Sequence, residues 1–172
     1  MDKQEQLLKE LIGNAAYRME ESLRMIKICL DKLPEKVVWQ KPNESTNSIG
    51  NLILHLCGNI TQYGIASLRN LDDDRKRDEE FSASSGYNKD ELLQKLNDTI
   101  TEAKNAFVET PLEELLRKRS VQGFEFSGIG NIIHVTEHLS YHTGQIALWT
   151  KILNNSDLGF YDGVDLNTLN DE

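Results

Sequence analysis

The amino-acid sequence predicts an all-α fold, a single four-helix bundle, and three features support this prediction. Apolar residues recur at three- and four-residue steps through four long segments, as they do on the buried faces of amphipathic helices. Stretches with the alternating pattern of strands are scarce. The chain has 172 residues, of which 38% are hydrophobic, and this is enough for one core rather than two.

The first two helices are defined by their apolar faces and by the residues that end or cap them. The first is predicted over residues 3–33, and Pro34 ends it because proline lacks an amide hydrogen and clashes with the preceding turn. The second begins near Asn47 or Ser48, since either side chain can cap a helix, and runs to about Leu71.

The third and fourth helices carry similar signals. Asn88 followed by Glu91 is the pattern of a capping box, and the third helix closes before Pro111. Ser127 can cap the fourth helix, which ends near Leu153.

The connections are less regular. Residues 72–87 are charged and contain serine and glycine, and their length permits a crossover, so that an up-down-up-down order is not required. Residues 120–126, SVQGFEF, are predicted to be extended. We assign residues 1–153 to the bundle and residues 154–172 to an acidic tail with five acids and no lysine or arginine. The tail is expected to pack loosely, and no role is assigned to it.

Composition limits the partners of the protein. A net charge of −9 and a pI near 5.0 argue against nucleic acid and anionic membrane surfaces, because both need clustered lysine and arginine. The charged N-terminus does not resemble a signal peptide, and no apolar run is long enough to cross a bilayer. Cys29 and Cys57 lie far apart among apolar neighbours. We therefore expect reduced core cysteines and a cytoplasmic protein.

The histidines are concentrated in the fourth helix. His134, His138 and His142 are each four residues apart, so neighbouring members are rotated by only about 40° and can aim at one point. His55 interrupts the apolar run NLILHLC in the second helix. If these helices pack together, one imidazole from the second helix and two from the fourth can form a metal site. Three protein ligands leave positions open for water or substrate, as in catalytic sites.

Other interpretations of these residues are open at this point. His55 could simply be hydrogen-bonded to Asn51 or Asn59, one turn away on either side. The string HVTEH, residues 134–138, matches the motif of inverted zinc peptidases with Glu137 as the base, but those enzymes need a further ligand downstream and little chain remains. The repeated Glu-x-x-His pairs of di-iron bundles are absent.

The stretches NSIGNLILHLCGN (residues 47–59) and HVTEHLSYHTGQIALW (residues 134–149) resemble the DinB-like superfamily of four-helix metalloproteins. That superfamily includes bacillithiol transferases and mycothiol-dependent maleylpyruvate isomerases. The resemblance spans roughly residues 5–153. It implies an up-down-down-up bundle with a long crossover between the second and third helices.

The resemblance also implies which residues hold a metal. The histidine from the second helix and the last two from the fourth are the implied ligands, that is, His55, His138 and His142. Three further residues are assigned to support or line the site. These are His134, which has no ligand counterpart, Gln145, which can orient a ligand or a bound water, and Asn59.

The implied cofactor is a divalent metal, zinc or nickel before iron or manganese, since imidazole suits several of these ions. The implied reaction is attack of a metal-activated thiol on a small electrophile. A metal-dependent hydrolase and a non-catalytic metal or small-molecule binding module are the alternatives. The expected partners are a small-molecule substrate, including a low-molecular-weight thiol, and a second copy in a homodimer. The nearest basic cluster, residues 117–119, is expected to face solvent.

Overall fold

The structure is a computed structural model that describes residues 2–169, and it confirms the all-α bundle with one small hairpin added. The elements are α1 (Lys3–Lys32), α2 (Ile49–Asn59), α3 (Arg77–Ser82), α4 (Lys89–Glu109), α5 (Leu112–Leu116), β1 (Lys118–Val121), β2 (Phe124–Ser127) and α6 (Gly128–Asn154). A 3-10 turn, Glu35–Val37, follows α1. Helix α2 continues through a π-helical segment, Ile60–Ala66, and a last α-helical turn, Ser67–Arg69. The four long helices form the bundle.

Three of the four long helices begin at predicted caps. Ser48, Asn88 and Ser127 each accept a hydrogen bond from the backbone amide three residues on, at 3.1, 2.9 and 3.0 Å. These bonds satisfy amides that have no partner inside the helix. The helical stretch that starts with α2 ends at Asn70 (φ 54°), and α6 ends at Asn155 (φ 48°). Asparagine is among the few residues that tolerate this left-handed conformation.

Polar contacts at the helix ends fix how α1 lies against its neighbours. Lys89, at the start of α4, donates to the carbonyl of Leu33, just after α1, so α1 and α4 are antiparallel. Asn154, at the end of α6, donates to the carbonyl of Lys32, at the end of α1, so these two helices are parallel.

The second helix has the opposite relation to α6. Ser67, near the end of the α2 stretch, accepts from Asn131 at the start of α6 at 2.7 Å, so the two are antiparallel. Arg69 pairs with Glu109 at the end of α4 at 2.9 Å, so α2 and α4 are parallel. The order is therefore up-down-down-up, as the resemblance implied.

The crossover between α2 and α4 is partly folded onto α2. The side-chain amide of the buried Asn51 donates to the carbonyls of Glu80 (2.9 Å) and Ala83 (2.7 Å), which brings the end of α3 against the first turn of α2. Sequence analysis predicted only a charged connection here, because a helix of six residues is too short to show a periodic pattern.

The predicted extended piece, residues 120–126, is folded into a hairpin. It contains the end of β1, the turn Gln122–Gly123, with φ values of 51° and 80°, and most of β2. Glycine suits this turn because it carries no Cβ. The expectation that residues 117–119 face solvent is wrong for Arg119. Its side chain is only 7% exposed and donates to the backbone carbonyls of Ser67 and Glu114, which ties the hairpin to α2.

The chain after α6 returns to the bundle within the described residues. Leu158 is 2% exposed and belongs to the core, and Phe160 packs against that core. Arg24 of α1 donates to the carbonyl of Phe160 at 3.0 Å. Residues 170–172 of the predicted tail lie outside the described part, and the division at residue 153 stays a prediction.

The two cysteines are buried and unbonded, in agreement with the prediction. Burial raises the pKa of the Cys57 thiol to about 11 and raises that of Cys29, so both are protonated at neutral pH. Neither is therefore suited to be a nucleophile. Among the helices of residues 2–169, none combines the length and the apolar character that crossing a bilayer demands.

Candidate metal centre

Three histidines converge where the middle of α2 faces the middle of α6. One ring nitrogen from each of His55, His138 and His142 can be chosen so that all three lie within 4.8 Å of one another. The Nε2 atoms of His55 and His138 are 2.9 Å apart, and the three ring centroids are separated by 4.5–5.1 Å. Antiparallel packing and the four-residue spacing on α6 together bring these rings to one point. His134 lies one turn beyond them.

The outward nitrogen of His55 meets a carboxylate from the crossover. Its Nδ1 lies 3.1 Å from Glu80 Oε2, so Nδ1 carries the proton and donates. Arg75 Nη2 lies 3.0 Å from the same Nδ1, but it donates to Glu80 Oε2 at 2.8 Å. Both donors share one carboxylate oxygen. The lone pair of His55 is therefore on Nε2 and points toward the other rings.

The carboxylate is itself held by a buried guanidinium. Arg75 Nε donates to Glu80 Oε1 at 2.7 Å, and the two side chains are 5% and 11% exposed. Burial alone would raise the pKa of Glu80, but hydrogen bonds from Arg75 and His55 outweigh it and the pKa is lowered. Glu80 therefore stays ionised at neutral pH and fixes both the tautomer and the orientation of His55.

The roles of Arg75 and Glu80 were not predicted from the sequence, since charged residues in a polar connection are expected to be solvated. A signal for their partners was present in α2 and its π-helical continuation. Along this otherwise apolar stretch, buried polar residues recur at four- and three-residue steps, at Asn51, His55, Asn59 and Gln62. Such a stripe must meet polar groups from another segment. The crossover supplies them, and Arg75 Nη1 also donates to Gln62 at 2.9 Å.

Gly58 lets the crossover approach this stripe. A Cβ at this position would overlap the Glu80 carboxylate and lie 2.8 Å from Arg75 Nε. No side chain fits there while the ion pair keeps its place. Glycine in a helix interior lowers stability relative to alanine. At Gly58 the absence of a side chain makes room for the carboxylate that holds His55.

Helix α6 supplies its own orienting group. Gln145 Oε1 accepts a hydrogen bond from His142 Nδ1 at 2.7 Å, so the Nε2 of His142 is free and unprotonated. His142 is 8% exposed and Gln145 is exposed. Two of the three rings thus have Nδ1 engaged by an oxygen acceptor and Nε2 left free.

The environment keeps His138 and His142 neutral. Burial lowers the pKa of His138 to about 3, and the facing His142, His55 and His134 rings oppose a positive charge there as well. Burial also lowers the pKa of His142, against a smaller raising effect of the Gln145 hydrogen bond. Neutral imidazole is the form that binds metals.

The donor set fits a divalent cation. Two nitrogen lone pairs repel each other at close range unless a proton or a cation lies between them, and one shared proton would serve only two of the three rings. Ligand nitrogens on a tetrahedral ion with bonds of ~2.0–2.1 Å are spaced by about 3.3 Å. The observed 2.9 Å between two Nε2 atoms is close to that spacing. Three imidazoles suit zinc, nickel, copper or iron.

A cavity of about 330 Å³ opens onto His55 and His138. His134 lines it, and its Nε2 lies 3.2 Å from Asn59 Nδ2, so these two predicted supporting residues contact each other. Burial lowers the pKa of His134 also. Neither Asn51 nor Asn59 is the partner of His55, which bonds to Glu80 instead.

Glu137, the base of the inverted-peptidase alternative, is exposed and lies along a groove between α1 and α6. It does not line the cavity that opens onto His55 and His138. The geometry therefore gives no support to the peptidase interpretation.

Residues 6–161 match the model of a family described as "Protein of unknown function (DUF1572)". No curated protein matches the chain. Solved structures do match. A DinB-like protein, YjoA, from Bacillus subtilis is 14% identical with a TM-score of 0.64, and the match covers 86% of this chain and 96% of that one.

Two further structures are similar. A conserved protein from Enterococcus faecalis is 16% identical with a TM-score of 0.65, over 91% of this chain and all of that one (100%). A histidine-to-alanine mutant of a mycothiol-dependent maleylpyruvate isomerase is 15% identical with a TM-score of 0.64. That match covers 81% of this chain and 60% of the isomerase. At these identities the matches show a common fold.

Proposed function

Because the chain belongs to the family described as a protein of unknown function (DUF1572) and has the DinB-like fold, we propose that it holds one divalent metal ion through His55, His138 and His142. The observation that carries the proposal is the convergence of three imidazoles, two of them oriented by Glu80 and Gln145. Three protein ligands leave positions open for other molecules.

We further propose that the site serves thiol transfer to a small electrophile. One similar fold belongs to an isomerase whose name states that it depends on mycothiol. A divalent ion held by three neutral ligands keeps its full charge and would lower the pKa of a thiol bound to it. The cavity beside His55 and His138 provides space for the electrophile. The thiol itself is identified by chemical class only.

The protein's own groups have separable roles in this proposal. Arg75 and Glu80 hold His55 in one tautomer, and Gln145 does the same for His142. Asn59 and His134 contact each other and form part of the polar wall of the adjoining cavity. The buried thiols of Cys29 and Cys57 take no part, since burial raises the pKa of each.

The first test is the metal content of the purified protein, measured by elemental analysis. We expect about one divalent ion per chain, since one three-imidazole cluster can hold one ion. His55→Ala, His138→Ala and His142→Ala should each remove most of it, while His134→Ala should remove less. Equal loss in His134→Ala together with no loss in His142→Ala would contradict the ligand set.

The second test separates an enzyme from a binding module. The metal-loaded protein is assayed with a panel of cellular thiols and small electrophiles, and with esters for hydrolysis. Turnover that disappears in His138→Ala supports thiol transfer if it needs the thiol, and the hydrolase alternative if it does not. Bound metal without turnover for any thiol or ester supports the non-catalytic module.

A further inference from the structure

The cavity beside the three histidines has a wall of nearly parallel rings. Phe124 and Phe126 of β2 are 6.2 Å apart between centroids and 15° from parallel. Phe126 and His134 are 6.0 Å apart and 18° from parallel, and His134 and His138 are 5.4 Å apart at the same angle. All four residues line the cavity. A flat ligand can therefore lie parallel to each of these rings in turn and reach His138.

The hairpin that carries Phe124 and Phe126 is held in place by Tyr63. The hydroxyl of Tyr63, which is 2% exposed, lies within hydrogen-bond distance of the Val121 carbonyl (3.3 Å) and of Gln122 Oε1 (3.1 Å). The ring of Tyr63 also packs against His134, with centroids 4.3 Å apart. The wall is thus set by buried contacts, although Phe124 itself is 58% exposed.

Asn59, which lines the cavity, has a buried polar atom without a partner among the described residues. Asn59 is 4% exposed, and within residues 2–169 its Oδ1 has no hydrogen-bond partner, while its Nδ2 faces His134. A buried amide oxygen without a partner costs free energy. A ligand hydroxyl or amine that reached Asn59 would recover that cost.

The cavity lining carries one arginine that no carboxylate of the described residues neutralises. Arg75 and Arg77 line it, and none of the residues that form it is acidic. Arg75 is engaged by Glu80 and Gln62. Arg77 forms no salt bridge with any acid in the described part of the chain, and its guanidinium lies over the ring of Phe81, 4.7 Å from the centroid. Its hydrogen-bond donors remain available to an anion.

From these features we propose that the cavity binds a small aromatic carboxylate. The ring lies along Phe124, Phe126 and His134, the carboxylate contacts Arg77, and a hydroxyl or amine substituent bonds to Asn59. The volume of about 330 Å³ is at the small end of ligand pockets, which favours a single ring. This inference deepens the proposed function by giving the substrate class. It rests on that function only for the reaction of the bound molecule at the metal site beside His138.

The probe is benzoate, titrated into the metal-loaded protein by isothermal calorimetry. Benzamide has the same ring without the charge, and cyclohexanecarboxylate has the charge without the flat ring. We expect both controls to bind more weakly than benzoate. Ring hydroxylation at one position should tighten binding, and Asn59→Ala should cancel that gain.

Two exposed positions provide variants that should fold. Arg77→Gln should weaken benzoate about threefold to fivefold, as for an exposed ion pair. Phe124→Ala should weaken it about threefold to tenfold, as for an aromatic contact. Lys76→Gln and Val108→Ala are matched controls, a neighbouring exposed charge and an exposed apolar residue outside the cavity, and should bind as the parent does.

The same titrations with the chelated protein separate this inference from the metal proposal. Benzoate binding that survives chelation and still depends on Arg77 and Phe124 supports the inference even if no metal is ever found. Binding that vanishes with the metal and ignores both variants would show coordination alone and overturn it. Equal affinity for cyclohexanecarboxylate, or no benzoate binding by a protein with its metal in place, would overturn it as well.

Discussion

At the scale of single residues, the position of His55 depends on residues that are not metal ligands themselves. Glu80 accepts from its Nδ1, Arg75 holds Glu80, and Gly58 leaves room for both. Partners of this kind commonly contribute about tenfold to a hundredfold to metal affinity.

We expect Glu80→Gln to lower metal affinity by about tenfold to a hundredfold without removing a ligand. The amide loses the charge that fixes the His55 tautomer and leaves Arg75 buried without a counter-charge. Competition with a chelating dye measures the affinity. Glu79→Gln changes the neighbouring exposed acid and should leave it unchanged. Equal effects of the two substitutions would show that Glu80 acts only through net charge.

Gly58→Ala should also weaken metal binding, by about tenfold, because the added methyl displaces the Glu80 carboxylate. Gly13→Ala is the control, since a Cβ there meets nothing within 4 Å. It should raise the free energy of unfolding by about 0.5–1 kcal/mol, as alanine does in helix interiors. Urea denaturation and the dye titration together test the pair. If Gly58→Ala behaves like Gly13→Ala in both, the crossover does not need this glycine.

At the scale of elements, the long helices could be predicted and the short ones could not. Ser48, Asn88 and Ser127 indicated where three helices start, because a cap and an apolar face are local signals. Helix α3 offered neither. The burial of Arg75 and Arg119 is decided by partners far away in sequence, so no local pattern shows it.

For the site, the four-residue histidine spacing indicated that rings of α6 could converge, but not which pair would meet His55. The resemblance selected His138 and His142, and the structure brings these rings to His55. The metal's identity, the thiol and the homodimer depend on molecules other than this chain, and they stay predictions.

The hairpin turn gives a prediction at the same scale. Gly123 has φ 80°, a conformation that costs residues with a Cβ roughly 1–2 kcal/mol. Gly123→Ala should therefore lower the free energy of unfolding by about 1 kcal/mol in urea denaturation. It should also weaken benzoate binding, since the turn carries Phe124. A variant as stable as the parent would mean that the hairpin turn lies outside the cooperative unit.

At the scale of the whole molecule, stability should depend on pH through the buried histidines. Burial lowers the pKa of His134, His138 and His142 from 6.5, to about 3 for His138. Between these values the unfolded chain binds protons that the folded chain does not, so the free energy of unfolding falls as pH falls. The slope is at most about 1.4 kcal/mol per pH unit for each histidine.

Denaturation of the chelated protein at several pH values between 7.5 and 4.5 measures this slope, which His138→Gln should reduce. The lowered pKa of Glu80 acts in the same direction at the acid end. A free energy of unfolding that does not change across the range would contradict the burial of neutral rings.

Removal of the metal should lower the melting temperature. An ion that binds only the folded chain, present at a thousand times its dissociation constant, stabilises it by about 4 kcal/mol. Thermal melts with and without a chelator measure the shift. His142→Ala should melt at the same temperature in both conditions, because it has lost a ligand. An equal shift in that variant would place the ion elsewhere.

The small number of contacts between the crossover and α2 affects how fast the ion can enter and leave the site. Helix α3 contacts α2 through a few polar groups, since its Glu80 bonds to Asn51 and His55, whereas the four long helices share a continuous core. Short segments held in this manner open far more often than the whole fold does. The rates of ion binding and release would then follow the rate of amide hydrogen exchange in residues 77–82. A chelator would therefore remove the ion faster than the bundle unfolds.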